Sequence, residues 1–154
     1  MPSISRALIE VANTSSNLTR WPIEPSWIVE GDPVALGTLL SKSADGLAWT
    51  VVWQCSKGTF HWYYDFDETL MILEGGIVIE SDGIPATRYG PGDVIFFRQG
   101  AHAKWHVEGH VRKLAFCRRS QPVLLAFALR AFSKIKRTIL PSRNRKAASL
   151  TGCK

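Results

Sequence analysis

From Leu47 to Arg118 apolar and polar positions alternate in short runs, and each run is closed by glycine, proline or aspartate. The runs predict strands over Leu47–Cys55, Thr59–Tyr64, Glu68–Leu73, Ile77–Ser81, Ala86–Tyr89, Val94–Phe97, Lys104–Glu108 and Val111–Phe116. Between them Ser56-Lys57-Gly58, Gly75-Gly76, Asp82-Gly83 and Pro91-Gly92 read as turns, since glycine reaches positive φ and proline presets its own. Short strands recurring every 8–12 residues or so indicate an all-β sandwich or barrel. Upstream, Ala35–Leu40 reads as one more short strand after a Glu30-Gly31-Asp32-Pro33 turn, and Trp21–Trp27 as a proline-punctuated extended segment.

Side chains alternate across a strand, so His61 and Tyr63 share one face while Phe60, Trp62 and Tyr64 share the other. On the next strand Glu68, Leu70 and Ile72 oppose Thr69, Met71 and Leu73. Both faces are largely apolar, and a strand covered on both sides needs a second sheet or a second subunit. A homodimer packed through the Phe60/Trp62/Tyr64 or the Met71/Leu73 side follows as an expectation.

After Arg118 the period changes. Leu124, Leu125, Ala128, Phe132, Ile135 and Ile139 recur at helical spacing, Pro122 suits the first turn and Pro141 ends the run. The chain thus divides into a loose N-terminus (1–17), a β-barrel (18–119), an amphipathic C-terminal helix (120–141) and a basic tail expected to be disordered (142–154).

Charge sharpens this division. The net charge of +6 resides in residues 130–154, which carry eight basic and no acidic side chains; the rest of the chain balances at −2. A basic helix and tail suit weak contact with an anionic membrane surface. Specific nucleic-acid recognition is not expected, since no binding motif accompanies the charge. The three cysteines are scattered, no signal peptide or long apolar run is present, and a cytoplasmic protein is expected.

The chemistry-bearing residues converge on the barrel. Glu68 opens a strand that closes at Gly75, and a Gly90-Pro91-Gly92-Asp93 turn follows one hairpin later. This chain resembles the cupins, whose motifs read roughly G-x5-H-x-H-x3-4-E-x6-G and G-x5-P-x-G-x2-H-x3-N. Glu68-x6-Gly75 fits, and counting four residues back places His61-Trp62-Tyr63 at H-x-H. The second motif aligns from Gly92, with Arg98 at the proline and Ala103 at the histidine. The likeness is strongest to small cupins grouped with the (S)-ureidoglycine aminohydrolase cupin domain and the ethanolamine-utilisation cupins. It is carried by Trp62-Tyr63-Tyr64-Asp65, Ile72-Leu73-Glu74-Gly75, Gly90 to Phe97, Lys104-Trp105 and Val111-Arg112-Lys113.

The resemblance implies a cupin barrel (a double-stranded β-helix, or jelly roll) that binds a small ureide- or carboxylate-like ligand. His61, Tyr63, Glu68, Arg98 and Trp105 are the expected ligand-binding residues, with Glu68 and Tyr63 the catalytic candidates. The enzyme alternative is a metal-dependent hydrolase or lyase holding Mn, Zn, Fe or Ni on His61 and Glu68. A third reading is a non-catalytic regulator acting through the basic helix. His102 and His106 fall on the face away from Ala103 and Trp105.

Overall fold

The computed structural model describes residues 9–120. Eight strands form one sheet: β1 (Thr19–Arg20), β2 (Ile28–Glu30), β3 (Ala35–Lys42), β4 (Ala48–Tyr63), β5 (Asp67–Ser81), β6 (Ile84–Tyr89), β7 (Val94–Phe97) and β8 (His102–Arg118). All pairings are antiparallel, in the order β1-β3-β4-β8-β5-β6, with β2 added to β4 and β7 to β5. The all-β expectation holds. The helix expected over 120–141 and the tail over 142–154 lie outside the described residues.

Three strands are far longer than the alternation predicts. Ser56–Gly58 is no turn but a register shift within the 16-residue β4. Gly75-Gly76 is likewise a register shift inside the 15-residue β5, and the predicted strands Lys104–Glu108 and Val111–Phe116 are two halves of β8. The physical reason is close backbone approach. A Cβ on Gly75 would stand 1.9 Å from the His110 carbonyl oxygen, and Gly75 sits at φ 78°. A Cβ on Gly58 would meet the Pro33 ring at 2.8 Å. Glycine there lets strands bend while still paired, as bulges do in curled sheets. The other turns are turns: Ser81 pairs with Ile84 around Asp82-Gly83, and the Asp93 carboxylate accepts the Gly90 N–H at 2.8 Å. Within the segment read as extended, Pro25–Trp27 forms a short 3-10 turn.

The bent sheet encloses one core. Phe60, Leu70, Ile72, Ile77, Trp105, Val107 and Val111 are essentially inaccessible, and burying each such side chain contributes about 1.5–3 kcal/mol. Phe60 stacks on Trp105, Tyr64 on Phe97, and the Trp53 ring stands edge-on to both Phe60 and Trp105. Phe60, Trp62 and Tyr64 therefore face this chain's own interior, which corrects the expectation that they meet a second subunit. The other proposed face stays outside: Met71 pairs with Val94 and Leu114, and Thr69 with Phe96 and Phe116.

Candidate functional site

Interior positions follow from register. Glu68 pairs with Cys117 and Phe97, Ile72 with Lys113, and Trp53 with Lys113, so these side chains share the inner face. That brings two opposite charges into an apolar barrel. Lys113 Nζ donates to Glu68 Oε1 at 2.5 Å, with both side chains almost wholly buried. The second carboxylate oxygen faces the Cys117 thiol at 3.9 Å. Three indoles surround the ammonium, with Nζ 4.9 Å from the Trp105 ring, 5.1 Å from Trp53 and 5.8 Å from Trp62. Desolvating two ions is costly, and close contact together with cation–π attraction offsets it.

Beside the pair lies a cavity of about 330 Å³, walled by Trp21, Trp49, Val51, Trp53, Trp62 and Phe66, with Glu68, Lys113 and Cys117 at its polar end. Its volume falls in the range of small-molecule sites, and the mix of aromatic wall and few polar groups is typical of them. Among the described residues, the Trp53 and Trp105 indole nitrogens and the Tyr64 hydroxyl are buried without a hydrogen-bond partner. Of the three, Trp53 lines the cavity, while the Tyr64 hydroxyl and the Trp105 N–H lie close to one another. Burial drives the Tyr64 phenol well above its ordinary range; Glu68 adds to the rise and the nearby Trp105 N–H opposes it. Burial pushes the Cys117 thiol up to about 12, with Glu68 reinforcing and Lys113 opposing. It does the same to Cys55, against the pull of Lys113. Neither barrel thiol is a nucleophile near neutral pH.

A wider groove of about 540 Å³ runs past Trp49, Thr69, Phe96, Phe116 and Arg118. Its Asp67 carboxylate accepts the Gln99 N–H at 2.8 Å.

The structure separates the residues that the sequence grouped. Glu68 is in the barrel, as its motif position requires. His61 and Tyr63 are on the outer face: His61 Nδ1 lies 2.9 Å from His102 Nε2, and Tyr63 is half exposed. The reason is spacing. The first motif admits three or four residues before its glutamate, and the three-residue count puts Trp62 and Tyr64 on the inner wall. Arg98 is exposed, with its guanidinium 5.3 Å from the Phe96 ring. Trp105 is core, 1% exposed, and lies under the ammonium rather than along the cavity wall.

The motif's metal does not fit this interior. Trp62, Tyr64 and Ala103 stand at its three histidine positions, and the remaining ligand, Glu68, is bonded to an ammonium. Among the described residues no three His, Cys, Asp or Glu side chains gather as metal ligands. Lys113 supplies the positive charge beside Glu68. Sequence reasoning missed this residue, though the signal was present: a lysine at an inward position of the alternating series Val111, Lys113, Ala115, Cys117.

Known proteins share this fold. The model of the EutQ-like cupin domain matches residues 42–115. A putative ethanolamine utilization protein Q from Salmonella typhimurium is 25% identical, with TM-score 0.50, covering 57% of this chain and 72% of that one. A DUF861-family protein of unknown function from Pseudomonas syringae pv. tomato is 23% identical, with TM-score 0.63, covering 68% of this chain but only 46% of its own length. The polyketide cyclase RemF from Streptomyces resistomycificus is 17% identical, with TM-score 0.56, covering 75% and 82%. The last two show a shared fold alone. No curated protein matches this sequence.

Proposed function

We propose, for a chain that is a small cupin, that its barrel binds a small ligand with an apolar body and a ureide-like head group. The observation that carries this reading is the 330 Å³ aromatic cavity ending on the Glu68–Lys113 pair. The ammonium donates and the carboxylate accepts, side by side. A head with both a carbonyl and N–H groups satisfies the two together. A free carboxylate meets Lys113 but opposes Glu68, so the ureide class is favoured over the carboxylate class. An unmatched buried group costs about 1–3 kcal/mol, which corresponds to roughly tenfold or more in affinity.

Tryptophan fluorescence tests this with two probes of similar size, phenylurea and benzoate. Phenylurea is expected to quench saturably and to bind about tenfold more tightly than benzoate. Equal weak binding of both, or quenching by neither, contradicts the reading. The donor set inside the barrel does not fit a metal, since Glu68 is paired with Lys113.

We infer further that two copies meet through the outer face of β5, β7 and β8. Across it run two rows, Phe96–Thr69–Phe116 and Val94–Met71–Leu114. Val94, Phe96 and Phe116 are exposed by 63%, 51% and 53%, an apolar patch of the kind that marks an interface. Exposed apolar rows of this kind suit a self-complementary twofold contact. The free thiols of Cys55 and Cys117 support a reducing, cytoplasmic setting. Among the described residues no helix is long and apolar enough to cross a membrane.

A further inference from the structure

We propose that His61 and His102 form the protein half of a divalent transition-metal site on the outer wall of the barrel, separate from the interior cavity. The two residues lie on paired strands, one row apart: His61 faces Lys104 and Tyr63 faces His102 across β4 and β8. Their side chains converge until His61 Nδ1 and His102 Nε2 are 2.9 Å apart, where a single proton bridges two lone pairs. Two imidazole nitrogens held at about 2.0–2.1 Å by one tetrahedral ion stand roughly 3.3–3.4 Å apart. Exchange of the bridging proton for a metal therefore asks for an opening of about half an ångström and for both rings, now aimed nitrogen to nitrogen, to turn until their lone pairs meet at the ion.

The pair is held in place by its surroundings. The Tyr63 ring stacks on His102 at 4.5 Å and 17°, and Trp27 meets the far side of this group edge-on to Tyr63 at 5.3 Å. The Ser81 hydroxyl donates to the His102 carbonyl at 2.5 Å, fixing that end of β8. Ligands on paired strands hold their geometry better than ligands on loops. Local charge is balanced, since Lys104 across from His61 is itself opposite Glu80 on β5. In the row between them Trp62 and Ala103 point to the interior, so the two faces carry separate chemistry. Imidazole donors select Zn, Ni or Cu over Mg or Ca. With two protein ligands the remaining positions are left to water or to a ligand donor, an open site rather than a closed structural one.

Isothermal titration of the full chain with zinc chloride and with nickel chloride tests the site directly. One equivalent is expected to bind. His61→Ala and His102→Ala are each expected to weaken it by about tenfold or more, while His106→Ala leaves it unchanged. The copper complex is expected to show nitrogen coupling from two imidazoles in its electron paramagnetic resonance spectrum, and from one in each single variant. Circular dichroism melts confirm that the variants are folded, and His61→Gln provides a second variant that preserves a hydrogen bond to His102. Absence of binding, or equal binding by the double variant, overturns the site. Neither result bears on phenylurea binding inside the barrel.

Discussion

Lys113 and Glu68 form an ion pair at 2.5 Å in the barrel interior. Removing one partner leaves the other buried and uncompensated, which typically costs about 3–5 kcal/mol. Lys113→Met is expected to lose stability on this scale in urea unfolding. The double variant Lys113→Met/Glu68→Gln is expected to recover much of the loss, because no lone charge remains. An additive or larger loss in the double variant contradicts the pairing. The thiols give a pH signature. Cys55 and Cys117 are raised from 9.0 to about 12, so above pH 9 the unfolded chain releases protons that the folded chain retains. Stability is thus fully present below pH 9 and falls as pH rises toward 12, with buried Tyr64 adding to the fall. Unfolding midpoints measured from pH 7 to pH 11 check this, and a Cys55→Ala/Cys117→Ala variant is expected to show a shallower decline. At this scale the sequence was half legible. Glu68 could be placed inside because its motif spacing is fixed, whereas one residue of latitude in the spacer decided whether His61 and Tyr63 or Trp62 and Tyr64 faced inward. Lys113 was hidden because a lone lysine in a strand ordinarily signals an outward position.

The strands were legible because alternation is a local property of each segment. Their lengths were not, because a glycine pair looks the same in sequence whether it reverses a chain or kinks it. Only the partner strand distinguishes them, and Gly75 is settled by the His110 backbone. Gly75→Ala combines a positive φ of 78° with a backbone clash and is expected to destabilise by well over about 1 kcal/mol. Gly83→Ala shares the positive φ but meets nothing within 4 Å, so it is expected to cost only the conformational term, about 1 kcal/mol. Equal losses in the two variants contradict the close approach. Gly37 serves the site instead. A Cβ there would come within 2.7 Å of the Trp21 ring, which forms part of the cavity wall. Gly37→Ala is expected to displace that indole, red-shift the tryptophan emission and weaken phenylurea binding while the barrel stays folded.

For the whole molecule, the two faces of one sheet differ: one encloses the core and the other carries exposed apolar rows. The apolar rows outside are expected to hold a homodimer that Phe96→Asp/Phe116→Asp converts to a monomer in light scattering. A monomeric wild type contradicts this. Indole ¹⁵N–¹H spectra test ligand binding inside the barrel, since six tryptophans give a signal each. On saturation with phenylurea, the Trp49, Trp53 and Trp62 signals are expected to move together, with a smaller shift at Trp27, which does not line the cavity but meets the Trp62 ring edge-on at 5.5 Å. If no indole signal moves, or only Trp27 does, the barrel is not the binding site.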